Sequence, residues 1–327
     1  MAARLGPDVQ KKSICVVGIC TVDAVARCID EYPPPGGLRI FDSLKLTTGG
    51  NAVNGSIALA KMGFAVSVVT KIGEDQHGQF VLDELDRHGV DTSGVVRSAD
   101  THTPFSFVCV HSDGQRSFLH TVGTNGTLRR EEMDRTHVCR ADLCLVTGTM
   151  LMPQFDGPPT ARLLADARNA GAITLLDTSL TDAASAAAWR TALEPCLPHL
   201  DFFVPSRMEA AAFTGHDEPL RAAEAILAGG CRNAVIKLDT DGVYYRTAGG
   251  REGTIPAYRI AHVVDTTGAG DCWCAGLLAG LAQDLPLEDS LRLGNAVAAH
   301  GIQHAGASSG IPPLAHIQRF QKSPENQ

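Results

Sequence analysis

The sequence contains no apolar run of the length that a membrane-spanning helix requires. Such a helix needs about 20 consecutive apolar residues, whereas the hydrophobic residues, 44% of the 327, are spread along the chain. Residues 1–12 also lack the apolar stretch of a secretory signal. We therefore expect a cytoplasmic protein without a membrane partner.

Positive charge is sparse. The chain has 28 Lys and Arg residues against 36 Asp and Glu residues, and its net charge is −8 at pH 7. Its basic residues are scattered, whereas a nucleic-acid-binding domain usually concentrates them on one face. This composition argues against a nucleic-acid partner and favours a small-molecule ligand.

None of the 10 cysteines belongs to a Cys-x-x-Cys pair. Cys15 and Cys144 lie in apolar, strand-like runs, which predicts buried free thiols in a cytoplasmic chain. A zinc site built from His137, Cys139 and Cys144 would have no recognised ligand spacing. The cysteines therefore indicate neither a disulfide framework nor a metal centre.

Several well-known catalytic motifs are also missing. There is no Gly-x-x-x-x-Gly-Lys-Ser/Thr sequence, which excludes a P-loop enzyme. Gly268 and Gly270 do not complete Gly-x-Gly-x-x-Gly, because Trp273 occupies the third glycine position. His-Glu-x-x-His is absent too. These absences weigh against a dinucleotide-binding fold and a zinc peptidase.

What the sequence does contain is a regular alternation of strand and helix patterns. Strands are predicted at 13–19, 66–71, 94–97, 142–147, 172–177, 201–204, 233–238 and 243–247. Helices are predicted at 51–62, 76–88, 155–170, 206–214, 218–229, 271–283 and 287–303. This rhythm predicts an α/β fold with a doubly wound, mainly parallel sheet. Since no repeat and no low-complexity linker occurs, we expect one domain over 1–327.

Two segments interrupt this alternation. Residues 24–47 hold a cluster of Pro and Gly at 33–37 followed by an imperfect apolar–polar alternation, and 102–123 hold a hairpin with Asp-Gly in its turn at 112–115. We expect them to form a small β lid that covers a cleft and excludes water. The apolar surface and unpaired edges of such a lid leave lid-to-lid homodimerisation open.

Residues 265–271, Asp-Thr-Thr-Gly-Ala-Gly-Asp, have the composition of an anion-binding turn. A β-branched run at 260–264 predicts a strand before it, and an apolar pattern predicts a helix after it. Gly268 and Gly270 would let a phosphate approach the free amides of that helix. The helix dipole would keep Asp271 ionised and able to accept a proton. A capped turn without a ligand fits the same residues.

Further candidates follow other strands. Thr21 and Asp23 come after the first predicted strand, where ligands collect in open α/β sheets, although a polar loop explains them equally well. The double glycine at 49–50 opens a helix in which Asn54 and the asparagine three residues earlier share one face. Since an amide both donates and accepts, this pair suits a diol, and we favour a ligand role over helix capping.

Two more sites remain ambiguous. Glu209 lies in the first turn of a predicted helix, where it would hold Mg²⁺ directly or through water, or serve only the helix dipole. Residues 235–243 predict a strand, an Asp/Gly-rich turn and a second strand. The turn is either a plain connection or a nucleotide contact.

Together these motifs resemble those of the ribokinase-like, PfkB-type carbohydrate kinases. The match rests on residues 49–54 (GGNAVN) and 265–271 (DTTGAGD), supported by 113–116 and 205–210, and covers roughly 13–318. The resemblance implies a doubly wound α/β/α sandwich with a β lid. It also implies ATP-dependent phosphorylation of a hydroxymethyl group on a sugar or sugar-like molecule.

The resemblance further assigns roles to residues. Asp271 would be the catalytic base, and the anion hole would consist of the amides of Gly268, Ala269, Gly270 and Asp271. The positions matching sugar contacts are Thr21, Asp23, Gly49, Gly50 and Asn54. Those matching the nucleotide region are Lys237, Leu238, Thr240, Gly242 and Asn295. Metal positions are Glu209 for Mg²⁺, and Asp265 and Thr267 for a monovalent cation such as K⁺.

The sequence departs from the family pattern at two positions. Ser206 stands where the family usually has Asn, and Asp239 replaces a glycine common at the nucleotide turn. A carboxylate near a triphosphate is unfavourable unless it points away or binds metal. The identity of the nucleotide is therefore left open. A nucleoside kinase of the same fold and a catalytically silent sugar-binding regulator remain alternatives, and the sequence does not identify the acceptor.

Overall fold

The structure, a computed structural model, describes residues 12–112, 115–179 and 185–323. Its strands are β1 Ile14–Gly18, β2 Thr21–Arg27, β3 Ser43–Gly49, β4 Val66–Val69, β5 Lys71–Gly73, β6 Val96–Ser98, β7 Phe105–Val110, β8 Arg116–Thr121, β9 Leu143–Thr149, β10 Ile173–Thr178, β11 Phe202–Phe203, β12 Asn233–Lys237, β13 Val243–Thr247 and β14 Glu252–Ile255. Its helices are α1 Asn51–Lys61, α2 Gln76–Arg87, α3 Thr136–Arg140, α4 Pro158–Asn169, α5 Ala186–Leu193, α6 Arg207–Thr214, α7 Pro219–Ala228, α8 Ala269–Ala282, α9 Leu287–Gly301 and α10 Leu314–Gln321. In this part of the chain, no helix is both long and apolar enough to cross a bilayer.

The central sheet has the strand order β14-β13-β12-β11-β10-β9-β1-β4. In this order, the strands from β12 to β4 run parallel to one another. At the other edge, β13 pairs antiparallel with both β12 and β14 and is thus the one reversed strand among the described strands of this sheet. Every residue of β1 is buried, as expected of a strand covered on both faces. The chain continues from β1 to β4 on one side and later to β9 on the other. This change of direction is the place where ligands bind in open α/β sheets.

Helices cover both faces of this sheet, which confirms the predicted α/β/α sandwich. One core cluster includes residues of α1, α2, α8 and α9, and the other includes residues of α4, α5, α6 and α7. Helix α8 is almost entirely buried, as its apolar sequence requires. Gly276 of α8 lets the backbone of α9 approach, because a Cβ there would lie 2.7 Å from the Gly294 Cα.

The two segments that interrupt the alternation form one sheet of order β3-β2-β7-β8, here called the lid sheet. Strand β2 pairs antiparallel with β3 and parallel with β7, and β7 pairs antiparallel with β8. The sheet begins at Thr21, three residues before the expected boundary. The predicted hairpin turn includes residues 113 and 114, which lie outside the described residues.

The strand predicted at 260–264 is wrong. Val263 and Val264 are 54% and 58% exposed, and neither belongs to a strand. The amides of Val264 and Asp265 instead donate to the Ile302 carbonyl, just after α9, at 2.8 and 3.1 Å. This β-branched run is therefore not paired with β14, the edge strand of the central sheet. The glycine turn is therefore held by a helix end and not by the sheet.

Candidate active site

A cleft of about 990 Å³ opens at the carboxyl ends of β10 and β12. It is lined by many of the predicted site residues: Glu209, Lys237, Thr240, Gly242, Gly268, Ala269, Gly270, Asp271 and Asn295. The predicted residues that do not line it are Thr21, Asp23, Gly49, Gly50, Asn54, Leu238, Asp265 and Thr267. The structure thus gathers the proposed catalytic residues and, apart from Leu238, the proposed nucleotide residues in one cleft.

The glycine turn at the start of α8 has the geometry of an anion site. Gly268 is left-handed, with φ +71°, and a Cβ there would lie 2.4 Å from the Ala307 Cβ. No side chain caps the helix. The Ala269 amide makes only a 3.2 Å bond to the Thr266 carbonyl. The first turn of α8 therefore presents backbone amides to the cleft without a competing side-chain acceptor.

Asp271 is buried in the first turn of α8 and is held by two asparagines of α1. Asn51 Nδ2 donates to its Oδ1 and Asn54 Nδ2 donates to its Oδ2, both at 2.8 Å. The two asparagines do share a helix face, but this face binds a carboxylate of the protein. Each Nδ2 group thus gives one of its two N–H donors to Asp271, and the expectation that these amides also serve a diol stays a prediction.

Burial raises the pKa of Asp271 to about 7, although the Asn54 hydrogen bond lowers it, and the Asp177 carboxylate adds to the rise. The helix dipole does not hold this pKa in the ordinary range of a carboxyl group, because desolvation of the buried side chain outweighs it. A base with a pKa near neutrality is nevertheless well matched to proton abstraction at neutral pH.

A buried ion pair stands beside the anion site. Lys237 Nζ lies 2.7 Å from Asp177 Oδ1, and the two side chains are 14% and 2% exposed. A Cβ on Gly270 would lie 3.4 Å from Nζ, so the ammonium faces the first turn of α8. Burial alone would lower the pKa of Lys237, but the Asp177 and Glu209 carboxylates raise it. The ammonium therefore stays charged at neutral pH.

Sequence reasoning missed Asp177. This residue lies near the carboxyl end of β10 and lines the cleft. Its other oxygen accepts a hydrogen bond from Thr147 Oγ1 at 3.2 Å. The rule that flagged Asp23, a carboxylate at a strand end, would also have identified Asp177.

Glu209 and Ser206 form a capping box at the start of α6. The Ser206 amide donates to Glu209 Oε2 at 2.6 Å, and the Glu209 amide donates to Ser206 Oγ at 3.3 Å. The serine found in place of the family's asparagine is thus a helix cap. Glu209 Oε1 takes no part in the capping box. A buried carboxylate with one such oxygen on the wall of the cleft fits Mg²⁺, which binds one or two carboxylates together with phosphates and water.

The described residues contain no cluster of three or more His, Cys, Asp and Glu side chains that could hold a metal by itself. A Mg²⁺ ion at Glu209 would therefore depend on phosphate oxygens for most of its ligands. A metal ion that arrives with a nucleotide takes most of its ligands from the phosphates, whereas a permanently bound metal ion takes them from the protein.

Asp265 and Thr267, assigned by resemblance to a monovalent cation, both bind Arg116 of the lid sheet. Arg116 Nη2 lies 2.8 Å from Asp265 Oδ1, and its Nη1 donates to Thr267 Oγ1. Burial would raise the pKa of Asp265, but hydrogen bonds from Arg116, Gly306 and Thr267 lower it to about 2. The carboxylate is thus ionised and already has a positive partner.

The sugar candidates cluster where the lid sheet joins the central sheet. Thr21 on β2 pairs with Gly49 on β3, and a Cβ on Gly49 would lie 2.3 Å from Asp23 Oδ2. Gly49 thus makes room for this carboxylate, whose pKa is raised by burial. Gly50 has φ +88°, and a Cβ there would lie 2.5 Å from the Cys20 Cα. Both glycines are therefore required by close packing at this junction.

The nucleotide candidates differ in whether their polar groups already have hydrogen-bond partners within the protein. Thr240 and Gly242 line the cleft, and Asp239 adopts the left-handed φ of +51° that favours the family's glycine. Asn295 lines the cleft too, but its Nδ2 donates to the carbonyls of residues 255 and 256, and its Oδ1 accepts from Trp273 Nε1. Asn295 therefore anchors β14 and Trp273, and this structural role competes with the predicted nucleotide contact.

The chain is similar to characterised proteins over nearly its whole length. It is 30% identical over 301 residues to the 2-dehydro-3-deoxygluconokinase of Bacillus subtilis (strain 168), covering 89% of this chain and 90% of the relative. It is 27% identical over 316 residues to the ribokinase of Staphylococcus aureus (strain COL), covering 94% and 98%.

Solved structures share the fold. Arabidopsis thaliana ribokinase complexed with ribose and ATP matches with a TM-score of 0.85 and 23% identity, over 96% of this chain and 100% of that one. An Escherichia coli protein described as a ribokinase II, in complex with ATP and Mg²⁺, matches with a TM-score of 0.80 and 21% identity, over 94% and 98%.

The architecture and these neighbours define a ribokinase-like fold, as the sequence motifs predicted. A family model described as pfkB family carbohydrate kinase matches residues 11–314. The chain belongs to this family and is a carbohydrate kinase.

Proposed function

We propose that this chain transfers the γ-phosphoryl group of ATP to a hydroxymethyl group of a sugar, with Asp271 as the base. The observation that carries the proposal is the position of Asp271: a buried carboxylate with a pKa of about 7, in the first turn of α8, beside the cleft. We further propose that residues 1–327 act as one kinase domain in the cytoplasm, where ATP is abundant.

In the proposed mechanism, Asp271 accepts the proton of the acceptor hydroxyl while the hydroxyl oxygen attacks the γ-phosphorus. The bond between that phosphorus and the β–γ bridging oxygen breaks, and ADP leaves. The amides of residues 268–271 donate to the equatorial oxygens as negative charge spreads over them. Lys237 lies above the same turn and balances that charge. When bound at Glu209, Mg²⁺ would screen the phosphate charges. Thr240, Gly242 and Leu238 are the proposed surroundings of the nucleotide.

The proposed acceptor site lies between the lid sheet and Asp271, around Thr21, Asp23, Gly49, Gly50 and Asn54. Asp23 supports this assignment, because its carboxylate lies against Gly49, shortly before helix α1, whose Asn54 binds Asp271. A carboxylate of this kind accepts hydrogen bonds from adjacent sugar hydroxyls.

The acceptor is best identified by an ATP-consumption screen. The relatives are named for 2-dehydro-3-deoxygluconate and ribose, so the panel contains these two compounds, other hexoses and sugar acids, and nucleosides. We expect turnover with a sugar or sugar acid. Turnover with nucleosides alone would favour a nucleoside kinase of the same fold. Tight sugar binding without any ATP consumption would favour a sugar-binding regulator and overturn the proposed chemistry.

The rate of phosphorylation should depend on the ionisation of Asp271. Because burial raises its pKa to about 7, the base is protonated and inactive at lower pH. We expect kcat/KM to fall about tenfold per pH unit below this value and to level off above it. Asn51→Ala removes a hydrogen bond that lowers the pKa, so its profile should shift to higher pH. A flat profile between pH 5 and 8 in the wild type would contradict the assignment of Asp271 as the base.

We also propose that the lid sheet pairs with the lid sheet of a second chain. Its edge strands β3 and β8 carry exposed apolar side chains: Leu44, Leu46, Phe118 and Leu119 are between 46% and 58% exposed. Concentrated apolar surface on unpaired sheet edges typically marks an interface.

Phe118→Glu is expected to convert the dimer into monomers, because a charge would be buried against apolar groups of the other chain. Sedimentation velocity measures the change. Phe118→Leu keeps the position apolar and should remain dimeric. A monomeric wild-type protein at micromolar concentration would refute the lid-to-lid dimer without affecting the kinase assignment.

A further inference from the structure

Arg116 connects the lid sheet with the turn that precedes the anion site. It is the first residue of β8, and its guanidinium contacts Asp265 and Thr267, about 150 residues later in the chain. The Arg116 side chain is 26% exposed and the Asp265 side chain 6%. The contact therefore lies largely out of solvent, where a charged hydrogen bond is strong.

Asp265 joins three segments of the protein. Its Oδ1 accepts from the Thr267 amide at 2.8 Å and its Oδ2 accepts from the Gly306 amide at 2.9 Å, while Arg116 binds Oδ1 from the lid. Gly268 follows directly in the chain and packs against Ala307. The orientation of the anion-site turn is therefore set by what surrounds this carboxylate.

A buried carboxylate needs a compensating positive charge, because removing an unpaired ion from water is costly. The family resemblance gives that charge at Asp265 and Thr267 to a monovalent cation. In this chain the carboxylate oxygens and the Thr267 hydroxyl are already bound by a guanidinium and two amides. These donors do not fit a cation that requires the same oxygens as ligands.

We propose that Arg116 replaces the monovalent cation at Asp265 and Thr267, so that this kinase works without K⁺. This inference rests on the proposed function, because the anion site is the part that Arg116 orients. Arg116 is a positioning residue: it acts on phosphoryl transfer through Asp265 and the turn at 266–268. Since Arg116 belongs to the lid sheet, the charge is supplied by the same element that borders the acceptor site.

The first test compares turnover in potassium chloride with turnover in tetramethylammonium chloride at equal ionic strength. We expect the wild-type rate to be the same in both salts. Arg116→Ala should lower kcat by about 10- to 100-fold in tetramethylammonium, as the loss of a supporting contact typically does. Potassium should restore part of that rate, because the carboxylate is then free to bind it. Arg116→Lys should retain more activity than Arg116→Ala without K⁺.

The second test uses thermal unfolding in the same two salts, which requires no substrate. A ligand that binds only the folded protein raises the melting temperature. We expect K⁺ to leave the wild-type melting temperature unchanged and to raise that of Arg116→Ala. Arg27→Ala serves as the matched control, because Arg27 ends β2 in the same lid sheet and is exposed. It should behave like the wild type in both experiments.

Activation and stabilisation of the wild type by K⁺ would overturn the proposal, as would an equal K⁺ response of the wild type and Arg116→Ala. If Arg116→Ala does not fold, the proposal is still tested by Arg116→Lys and by the comparison of the wild type in the two salts. If no acceptor is phosphorylated, the proposed function fails, whereas the unfolding experiment continues to test Arg116 independently.

Discussion

Asp271→Ala is expected to lower kcat by about 10²- to 10⁴-fold, the usual contribution of a positioned general base. Sugar binding should persist, because Asp271 reaches the acceptor hydroxyl only to take its proton. Isothermal titration with the sugar identified by the screen, together with steady-state kinetics, separates the two effects. Near-normal turnover in this variant would refute the mechanism.

Asp271→Asn serves as the companion variant. It nearly preserves the volume of the side chain in the buried site but has no carboxylate to accept a proton. Its pH profile should therefore lose the inflection near 7 that the wild type is expected to show. A variant that is folded, binds sugar and lacks this inflection would assign the proton acceptor to Asp271.

Lys237→Met is expected to lower both activity and stability. Lys237 and Asp177 are paired at 2.7 Å and largely buried, so removing the ammonium leaves an unpaired carboxylate. Breaking a buried pair in this way typically costs about 3 to 5 kcal/mol of the free energy of unfolding. Phosphoryl transfer should fall as well, because the charge above the first turn of α8 is lost.

The double variant Lys237→Met/Asp177→Asn separates these two effects. With both charges removed, most of the lost stability should return, since the desolvation penalty of the lone carboxylate disappears. Activity should stay low, because the ammonium is still missing. Denaturant unfolding and kinetics measure the two quantities. Recovery of activity together with stability would show that Lys237 acts only as a structural partner of Asp177.

Much of the fold could be predicted because its signals are local. The continuous apolar run of β1 and the apolar pattern of α8 each depend on neighbouring residues, and the structure has both within two residues of their predicted positions. The run at 260–264 has the same composition as a strand but lies beyond the last strand of the sheet. The composition of a segment gives its propensity to form a strand, but the surrounding fold decides whether the segment pairs with another strand.

The site was less predictable because its contacts join distant parts of the chain. Spacing placed Asn51 and Asn54 on one face, but the partner of that face lies more than 200 residues away. The Arg116–Asp265 contact and the hydrogen bond of Asn295 near the end of β14 also join residues that are far apart in the sequence. The raised pKa of Asp271 could not be predicted either, because the dipole is visible in the sequence whereas the depth of burial is a property of the assembled fold.

The bond between Asn54 and Asp271 spans 217 positions of the chain. During synthesis, α1 leaves the ribosome long before α8 has been made. The hydrogen bonds that hold Asp271 can therefore form only after most of the chain has been synthesised. Catalysis can therefore act as a reporter of complete folding. In refolding experiments, recovery of turnover should follow recovery of helical signal, because only the final docking of α8 against α1 joins the two halves of the site.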